Sequence, residues 1–353
     1  MICPECQYPN IENANYCVNC GYKLNSEYHY GPYDNFDQNF SMALRKFRFR
    51  DLFSNIFKKH TNGDVELLFT IGTPTTAPDI HDGQDVWPRP WLFARILVTV
   101  LLLYLGFYIG LIYFENLNFL PGLIMLGAFL TPVSILIFFW EINVPSNISL
   151  YRVIIFFLVG GLVSLLYSVL LYSVIDGLAF PLVTGIVEET AKLLALLIFA
   201  SKRRYTYILN GLLIGAAIGT GFAAFESSGY ILLTALQYGV RTMLRTIFWR
   251  AILAPGGHIA WAGLTGAAVM MVKNNQKFRL TNLFNFKFIR IFVLVILLHS
   301  LWDTNIPQPF LPQIPLYPII LTVISWVALF WTIRKGINQI SDKKALQYQT
   351  RRV

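Results

Sequence analysis

Two glutamates stand side by side in the middle of an apolar stretch that is long enough to cross a lipid bilayer. Glu188 and Glu189 lie within residues 178–201, whose other side chains are almost all hydrophobic. A carboxylate at mid-membrane depth costs between about 3 and 15 kcal/mol, and two adjacent carboxylates also repel each other. Their surroundings must therefore supply protons, a cation or a metal. An ionisable pair in this position is a hypothesis for a functional site.

Further ionisable side chains occur in the same segment and in the three apolar segments that follow it. They are Lys192, Glu226, His258, His299 and Asp303. Lys192 lies four residues after Glu188, on the same helix face, and can reach back to it. Asp303 lies four residues after His299, so its carboxylate can orient the imidazole and fix its tautomer.

Helix geometry puts these side chains at similar depths. At 1.5 Å per residue, Glu188, Glu226, His258 and His299 can all lie in the outer half of the bilayer. Pro255-Gly256-Gly257 should break the sixth segment just before His258, where freed backbone N–H groups could bind an anion or a carbonyl oxygen. The set predicts a water-accessible pocket that opens toward the outside.

Hydrolysis of a peptide bond is a reaction that this set could perform. It needs an activated water, a stabilised oxyanion and a proton for the leaving amine. We expect Glu188 or Glu189 to be the base, with Lys192 keeping the other ionised or holding the base in place. His258 and His299 would polarise the carbonyl and protonate the amine, or would bind Zn²⁺ with one glutamate.

The sequence does not decide which residues would bind such a catalytic metal. His258 and His299 with Glu226 form one candidate set. Asp303 would not contact the reacting atoms but would orient His299.

Other interpretations compete with hydrolysis. His258 could be a hydrogen-bonded histidine of a helix bundle, and Glu188 with Lys192 could be a neutralised packing pair. The main functional alternative is a transporter or ion pathway in which the glutamates relay protons or bind a cation, although spans 1–4 and 5–8 show no convincing inverted repeat. A non-catalytic scaffold that holds a partner helix is a second alternative.

All four cysteines lie in the first twenty residues. They form two CxxC pairs, Cys3-Pro-Glu-Cys6 and Cys17-Val-Asn-Cys20. Two such pairs separated by a short loop can place four thiolates around one Zn²⁺, whereas a redox motif needs only one pair. Because no coordination position remains open, we expect a structural zinc ribbon. Unoxidised thiolates also place this end of the chain in the cytosol.

Composition predicts the fold class. The 353-residue chain is 55% hydrophobic and 13% charged, against about 25% charged in an average soluble domain. We predict an all-α polytopic membrane protein with about eight transmembrane helices and a small N-terminal zinc ribbon. At about 20 residues per crossing, the apolar segments are 92–114, 119–140, 153–175, 178–201, 206–234, 247–272, 286–303 and 314–334.

The fifth apolar segment has two further features. It is too long for one straight span, and Ser227-Ser228-Gly229 is where we expect it to bend or leave the membrane. Gly211, Gly215 and Gly219 repeat at intervals of four, which gives a smooth helix face that a neighbouring span can approach closely.

The predicted domains are a ribbon (1–22), a cytosolic linker (23–90), a membrane domain (91–335) and a basic cytosolic tail (336–353). Within the linker, residues 41–60 interleave Phe and Leu with Arg and Lys, which is typical of a basic amphipathic helix on a membrane surface. A solvated helix between domains explains the pattern equally well. We expect no nucleic acid partner.

Basic residues indicate the orientation. They concentrate in the N-terminal region, near 141–152, at 202–204, in 273–290 and in the tail. The loops of the other side hold only Arg241, Arg245 and Arg250. By the positive-inside rule, this predicts a multi-pass protein of the cell membrane with both termini in the cytosol.

The order and spacing of the motifs resemble the PrsW intramembrane proteases, which are related to the CAAX prenyl endopeptidase and abortive-infection superfamily. The resemblance covers about residues 90–335. It rests on four motifs in order on consecutive spans, namely Glu188-Glu189-xx-Lys192, Phe222-xxx-Glu226, His258 after a glycine pair, and His299-xxx-Asp303.

The resemblance implies an endopeptidase that cuts a single-pass, membrane-anchored protein near the outer face, with an anti-sigma factor as the substrate type. Metal use is unsettled within the superfamily. The second motif ends in Glu226, where the prenyl endopeptidase branch has a histidine, so the mechanism of that branch cannot be transferred unchanged.

Overall fold

The computed structural model describes residues 1–20, 22, 24, 52–77, 88–175, 180–201, 204–273, 276–304, 306 and 314–350. This part of the chain is mainly helical, and its ribbon includes an isolated bridge between Ile2 and Pro9. Its α-helices are α1 (Asn62–Thr70), α2 (Leu92–Ile112), α3 (Leu120–Glu141), α4 (Leu150–Ile155), α5 (Gly161–Val174), α6 (Pro181–Ala200), α7 (Ile208–Leu253), α8 (His258–Lys273), α9 (Phe286–Trp302) and α10 (Leu316–Thr350).

The helices form a membrane bundle, as predicted. Among the described residues, five stretches are long and apolar enough to cross a membrane, namely Leu92–Ile112, Leu117–Glu141, Leu150–Val174, Ile208–Lys273 and Leu316–Lys343. The third consists of α4 and α5, joined by a π-helical turn. Two of the predicted spans, α6 and α9, are not among these five stretches, because α6 carries three charged residues and α9 has only 17 residues. Both helices nevertheless pack inside the bundle. Outward faces are apolar, as on α2, where Leu102 is 63% exposed, and such a surface suits lipid.

The two ends of the bundle can be told apart by their contacts. Arg204, between α6 and α7, donates to the carbonyl oxygen of Val18 in the ribbon at 3.0 Å and to that of Asn147 at 3.3 Å. Lys273, the last residue of α8, donates to the carbonyl oxygen of Ala200 at 2.8 Å. We call this end the ribbon side and the opposite end the far side. α6 and α8 therefore begin at the far side, and α7 begins at the ribbon side.

The predicted glycine face of α7 is confirmed, and α8 is the helix that packs on it. A Cβ atom on any of the three glycines would overlap a carbonyl oxygen of α8. These overlaps pair Gly211 with Gly266, Gly215 with Ala262, and Gly219 with His258. The two backbones are in direct contact, and the glycines therefore set the distance between α7 and the first turn of α8.

The bend in α7 lies ten residues beyond the predicted position. The helix runs without interruption through Ser227-Ser228-Gly229, where the Ser228 hydroxyl donates back to the Ala224 carbonyl within the helix. The break is at Gly239, whose φ of 80° and ψ of 174° are strained for residues with a Cβ atom. α7 is therefore a hairpin with a first arm (208–238) and a return arm (240–253).

The outer part of this hairpin packs on α2 and α3. A second apolar cluster joins them, made of Leu111, Leu123, Ile124, Ala128, Ile231, Met243 and Ile247. The cluster holds the return arm against the bundle, just before the chain enters α8.

Two predictions about the flanking regions can be compared with the described residues. The predicted amphipathic helix at 41–60 lies mostly outside them, and its described end, 52–60, forms turns rather than an α-helix. Residues 336–350 of the predicted tail continue α10, which extends without a break to Thr350.

Candidate active site in the membrane domain

α6 places an acidic pair and a lysine inside the bundle. The side chain of Glu189 is fully buried, that of Lys192 is 1% exposed and that of Glu188 is 11% exposed. Lys192 Nζ lies 2.7 Å from Glu189 Oε1 and 3.7 Å from Glu188 Oε2. The nearer partner of Lys192 is thus Glu189 rather than the predicted Glu188, because positions i and i+3 are neighbours as well as i and i+4.

α9 brings His299 to both glutamates. Its Nδ1 atom is 2.7 Å from Glu189 Oε1, and its Nε2 atom is 3.5 Å from Glu188 Oε2. Nε2 also lies 3.4 Å from Asp303 Oδ2, so the predicted pairing of His299 with Asp303 is present. The ring of Trp261 stacks on the imidazole with centroids 4.7 Å apart, which restrains its plane.

His258 is the first residue of α8. A 3₁₀ turn, Ala254–Gly256, and the non-helical Gly257 precede it, which confirms the predicted break. Its Nδ1 atom is 2.8 Å from Lys192 Nζ, and its Nε2 atom is 3.0 Å from Glu226 Oε2. His258 therefore links the acidic pair of α6 to the first arm of α7.

Glu226 has a second partner that the motifs did not include. Arg250 Nη2 donates to Glu226 Oε2 at 2.9 Å, across the hairpin of α7. From the sequence alone, Arg250 is only a basic residue of an outer loop. Its position, eight residues before His258 and beyond a turn, gave no signal that it would lie beside Glu226.

All seven predicted site residues therefore belong to one network. Counted along the helices at 1.5 Å per residue, Glu188 lies about 18 Å and His258 about 23 Å from the ribbon-side ends of α6 and α8. In a hydrocarbon core about 30 Å thick, both are in the half next to the far side.

The acidic side chains of this network outnumber its permanent cations. Among the described residues that are in contact here, the acidic side chains are Glu188, Glu189, Glu226 and Asp303, and the permanent cations are Lys192 and Arg250. An uncompensated buried charge is strongly unfavourable. Neutralising all four carboxylates would take two more positive charges, either as protons on these groups and the histidines or as one divalent cation, although Asp303 is 35% exposed and needs such compensation least.

Glu188, His258 and His299 form a donor set that fits a divalent metal. Each offers a ligand atom, and these atoms lie within 4.8 Å of one another. Glu188 Oε2 is buried without a hydrogen-bond partner, and two histidines with a carboxylate are a common zinc set. Lys192 Nζ faces His258 Nδ1 and would have to move away. The carboxylate in this set is Glu188, whereas the predicted Glu226 is held by Arg250 and His258.

The ribbon cysteines form a second donor set. All four Sγ atoms lie within 4.8 Å of one another, with 3.6 Å between Cys3 and Cys20 and 3.5 Å between Cys6 and Cys17. Burial opposes ionisation of the Cys17 thiol, but backbone N–H groups donate to its sulfur and lower its pKa to about 6. These thiols are suited to bind one structural Zn²⁺.

The fold and the site define a polytopic membrane protein with a buried acid–histidine centre near one end. Residues 115–332 match the model of the PrsW family intramembrane metalloproteases, and residues 2–24 match a zinc-ribbon domain. Because the first match covers more than half of the chain, the protein belongs to the PrsW family. Searches of curated proteins and of solved structures found no match. The chain therefore carries an intramembrane protease domain and a ribbon for structural Zn²⁺.

Proposed function

We propose that this protein is an endopeptidase that cleaves a single-pass, membrane-anchored protein near the far side, with water activated by Glu188. One observation carries this assignment of the base. Glu188 Oε2 lies 3.5 Å from His299 Nε2, is buried and has no hydrogen-bond partner, while the Glu188 side chain keeps 11% of its surface exposed. Glu189 is fully buried, and its Oε1 atom is committed to Lys192 and His299. Its Oε2 atom also lacks a hydrogen-bond partner, so the exposure of Glu188 is what distinguishes the two glutamates.

The reaction follows from these positions. Glu188 takes a proton from water, and the hydroxide attacks the carbonyl carbon of the substrate. Positive charge from Lys192 and from the first turn of α8 stabilises the oxyanion. The proton taken by Glu188 passes to the leaving amine, with His299 as the carrier. The products are a new carboxyl group and a new amine.

The remaining residues hold these groups in place. Glu189 orients both Lys192 and His299, and Asp303 supports His299 from the exposed side. Glu226 holds His258 at the start of α8. If a divalent ion were held by Glu188, His258 and His299, it would activate the water and polarise the carbonyl, and Glu188 and His299 would then act as ligands in place of their roles as base and proton carrier.

We infer that the ribbon side faces the cytosol of a cell membrane, so that the site opens to the outer face. The ribbon needs reduced thiols, which favours the cytosol. The described residues at the ribbon side include Arg152 in α4 and Arg204, Lys277 and Arg279 in connections, whereas the return arm of the hairpin at the far side has Arg241, Arg245 and Arg250. This bias agrees with the positive-inside rule. The partners are then the bilayer and a single-pass substrate, of which an anti-sigma factor is the candidate type.

The proposal is tested by comparing membrane-protein fragments in cells that express the wild type or His258→Ala. We expect shortened fragments of at least one single-pass protein with the wild type and their loss with the variant, because His258 lies beside Lys192 and Glu226 in the reacting network. His60→Ala, on the ribbon side, is the matched control and should cleave like the wild type. Identical fragment patterns for wild type and His258→Ala would overturn the proposal. Ion flux into proteoliposomes that depends on His258 would favour the transporter instead.

A further inference from the structure

The return arm of α7 reaches the candidate active site through one residue. Arg250 lies three residues before the end of α7 at Leu253 and eight before His258. Its guanidinium crosses the hairpin to the first arm, where Glu226 stands. The hairpin turn at Gly239 and the apolar cluster that includes Ile247 bring the two arms to this separation.

Three contacts clamp the guanidinium on the first arm. Arg250 Nη2 donates to Glu226 Oε2 at 2.9 Å, and Arg250 Nε donates to Ser227 Oγ at 2.8 Å. The guanidinium carbon also lies 4.8 Å from the centre of the Tyr230 ring. A planar group with several donors in a fixed fork can make all three contacts at once, and a lysine cannot.

The contact with Glu226 matters because His258 uses the same oxygen atom. Glu226 Oε2 is 2.9 Å from Arg250 Nη2 and 3.0 Å from His258 Nε2. His258 Nδ1 in turn faces Lys192 Nζ at 2.8 Å. Arg250 therefore begins a chain of contacts that runs through Glu226 and His258 to the acidic pair of α6. Its own side chain is 31% exposed.

We propose that Arg250 is a positioning residue that fixes the Glu226 carboxylate and, through it, the ring of His258. This inference rests on the proposed peptidase function. Without Arg250, the carboxylate can rotate about its side-chain bonds, and His258 loses the acceptor that sets its ring orientation and tautomer. Arg250 also supplies one of the two permanent cations of the network, so Lys192 remains available to Glu188 and Glu189.

Kinetics of a reconstituted substrate test the proposal. Arg250→Ala should lower kcat about 10- to 100-fold, the usual effect of removing a group that supports a site residue, with KM changed less than about twofold because uniform substrate binding is retained. Arg250→Lys should be intermediate, since it keeps the charge but loses the fork. Guanidinium at low millimolar concentration should restore part of the activity of Arg250→Ala, because the site of the side chain is open to water. Arg241→Ala, on the same arm, is the matched control.

Three results would overturn the proposal. They are a wild-type kcat in Arg250→Ala, a rise in KM alone, and a loss of kcat that accompanies a lower unfolding temperature and resists guanidinium. A readout without turnover separates this proposal from the peptidase function. The ¹⁵N signal of His258 Nε2 should shift in Arg250→Ala and stay unchanged in Arg241→Ala. If the wild type cleaves no substrate, the proposed peptidase function is wrong. The ¹⁵N signal then still shows whether Arg250 positions the ring of His258.

Discussion

Glu188→Gln is expected to abolish substrate cleavage in a protein that remains folded, whereas Glu189→Gln is expected to weaken both cleavage and folding. Glu188 Oε2 has no hydrogen-bond partner, and its ion pairs with His299 and Lys192 are long, at 3.5 and 3.7 Å. An amide can therefore take its place with little structural cost but cannot accept a proton from water. Loss of a general base lowers kcat about 10²- to 10⁴-fold. Glu189 is fully buried between Lys192 and His299, and removing one partner of a buried charge pair costs about 3–5 kcal/mol.

Turnover and thermal unfolding of the purified variants separate the two roles. Glu66→Gln, an exposed glutamate of α1, is the matched control and should behave as the wild type in both measurements. Substantial turnover by Glu188→Gln would exclude it as the base. If instead Glu188→Gln unfolds early while Glu189→Gln is stable and inactive, the two roles are reversed.

The second large effect is expected at the contact between α7 and α8. Gly215→Ala puts a Cβ atom onto the carbonyl oxygen of Ala262, and because a backbone atom cannot move aside, the two helices must separate. Overpacking of this kind costs about 1–3 kcal/mol. The displacement also reaches the first turn of α8, where His258 is located, and a shift of about 1 Å in a catalytic group lowers the rate about 10²-fold.

Gly229→Ala gives the matched control on the same helix. A Cβ atom at Gly229 would meet no other atom within 4 Å, and alanine favours a helix over glycine by about 1 kcal/mol. We therefore expect a lower unfolding temperature and slower cleavage for Gly215→Ala, and unchanged or slightly higher stability with normal cleavage for Gly229→Ala. Equal behaviour of the two variants would mean that the glycine face does not set the position of α8.

Local patterns were sufficient to predict much of this site. Residues four apart on one helix must share a face, so the pairing of His299 with Asp303 followed from spacing alone. The cost of carboxylates in an apolar span made an inward position of Glu188 and Glu189 necessary. The break before His258 followed from Pro255-Gly256-Gly257, because proline and two glycines cannot continue a helix well.

Other features depend on tertiary contacts that no local pattern contains. Lys192 could reach either glutamate, and the choice of Glu189 depends on His299 and His258 from two other helices. Gly229 and Gly239 are both glycines within one long helical segment, and only the packing of the return arm on α2 and α3 makes the second one the turn. Arg250 contacts Glu226 only because that turn folds the chain back on itself.

The most direct test of the account is the position of the cut in a single-pass substrate, reconstituted with the protein in liposomes and identified by mass spectrometry. Because Glu188, His258 and His299 lie about 18–23 Å from the ribbon-side ends of their helices, the account predicts cleavage in the far half of the apolar segment or just beyond it. That cut should disappear with Glu188→Gln. An intact substrate, or a cut in the half next to the ribbon, would contradict the account.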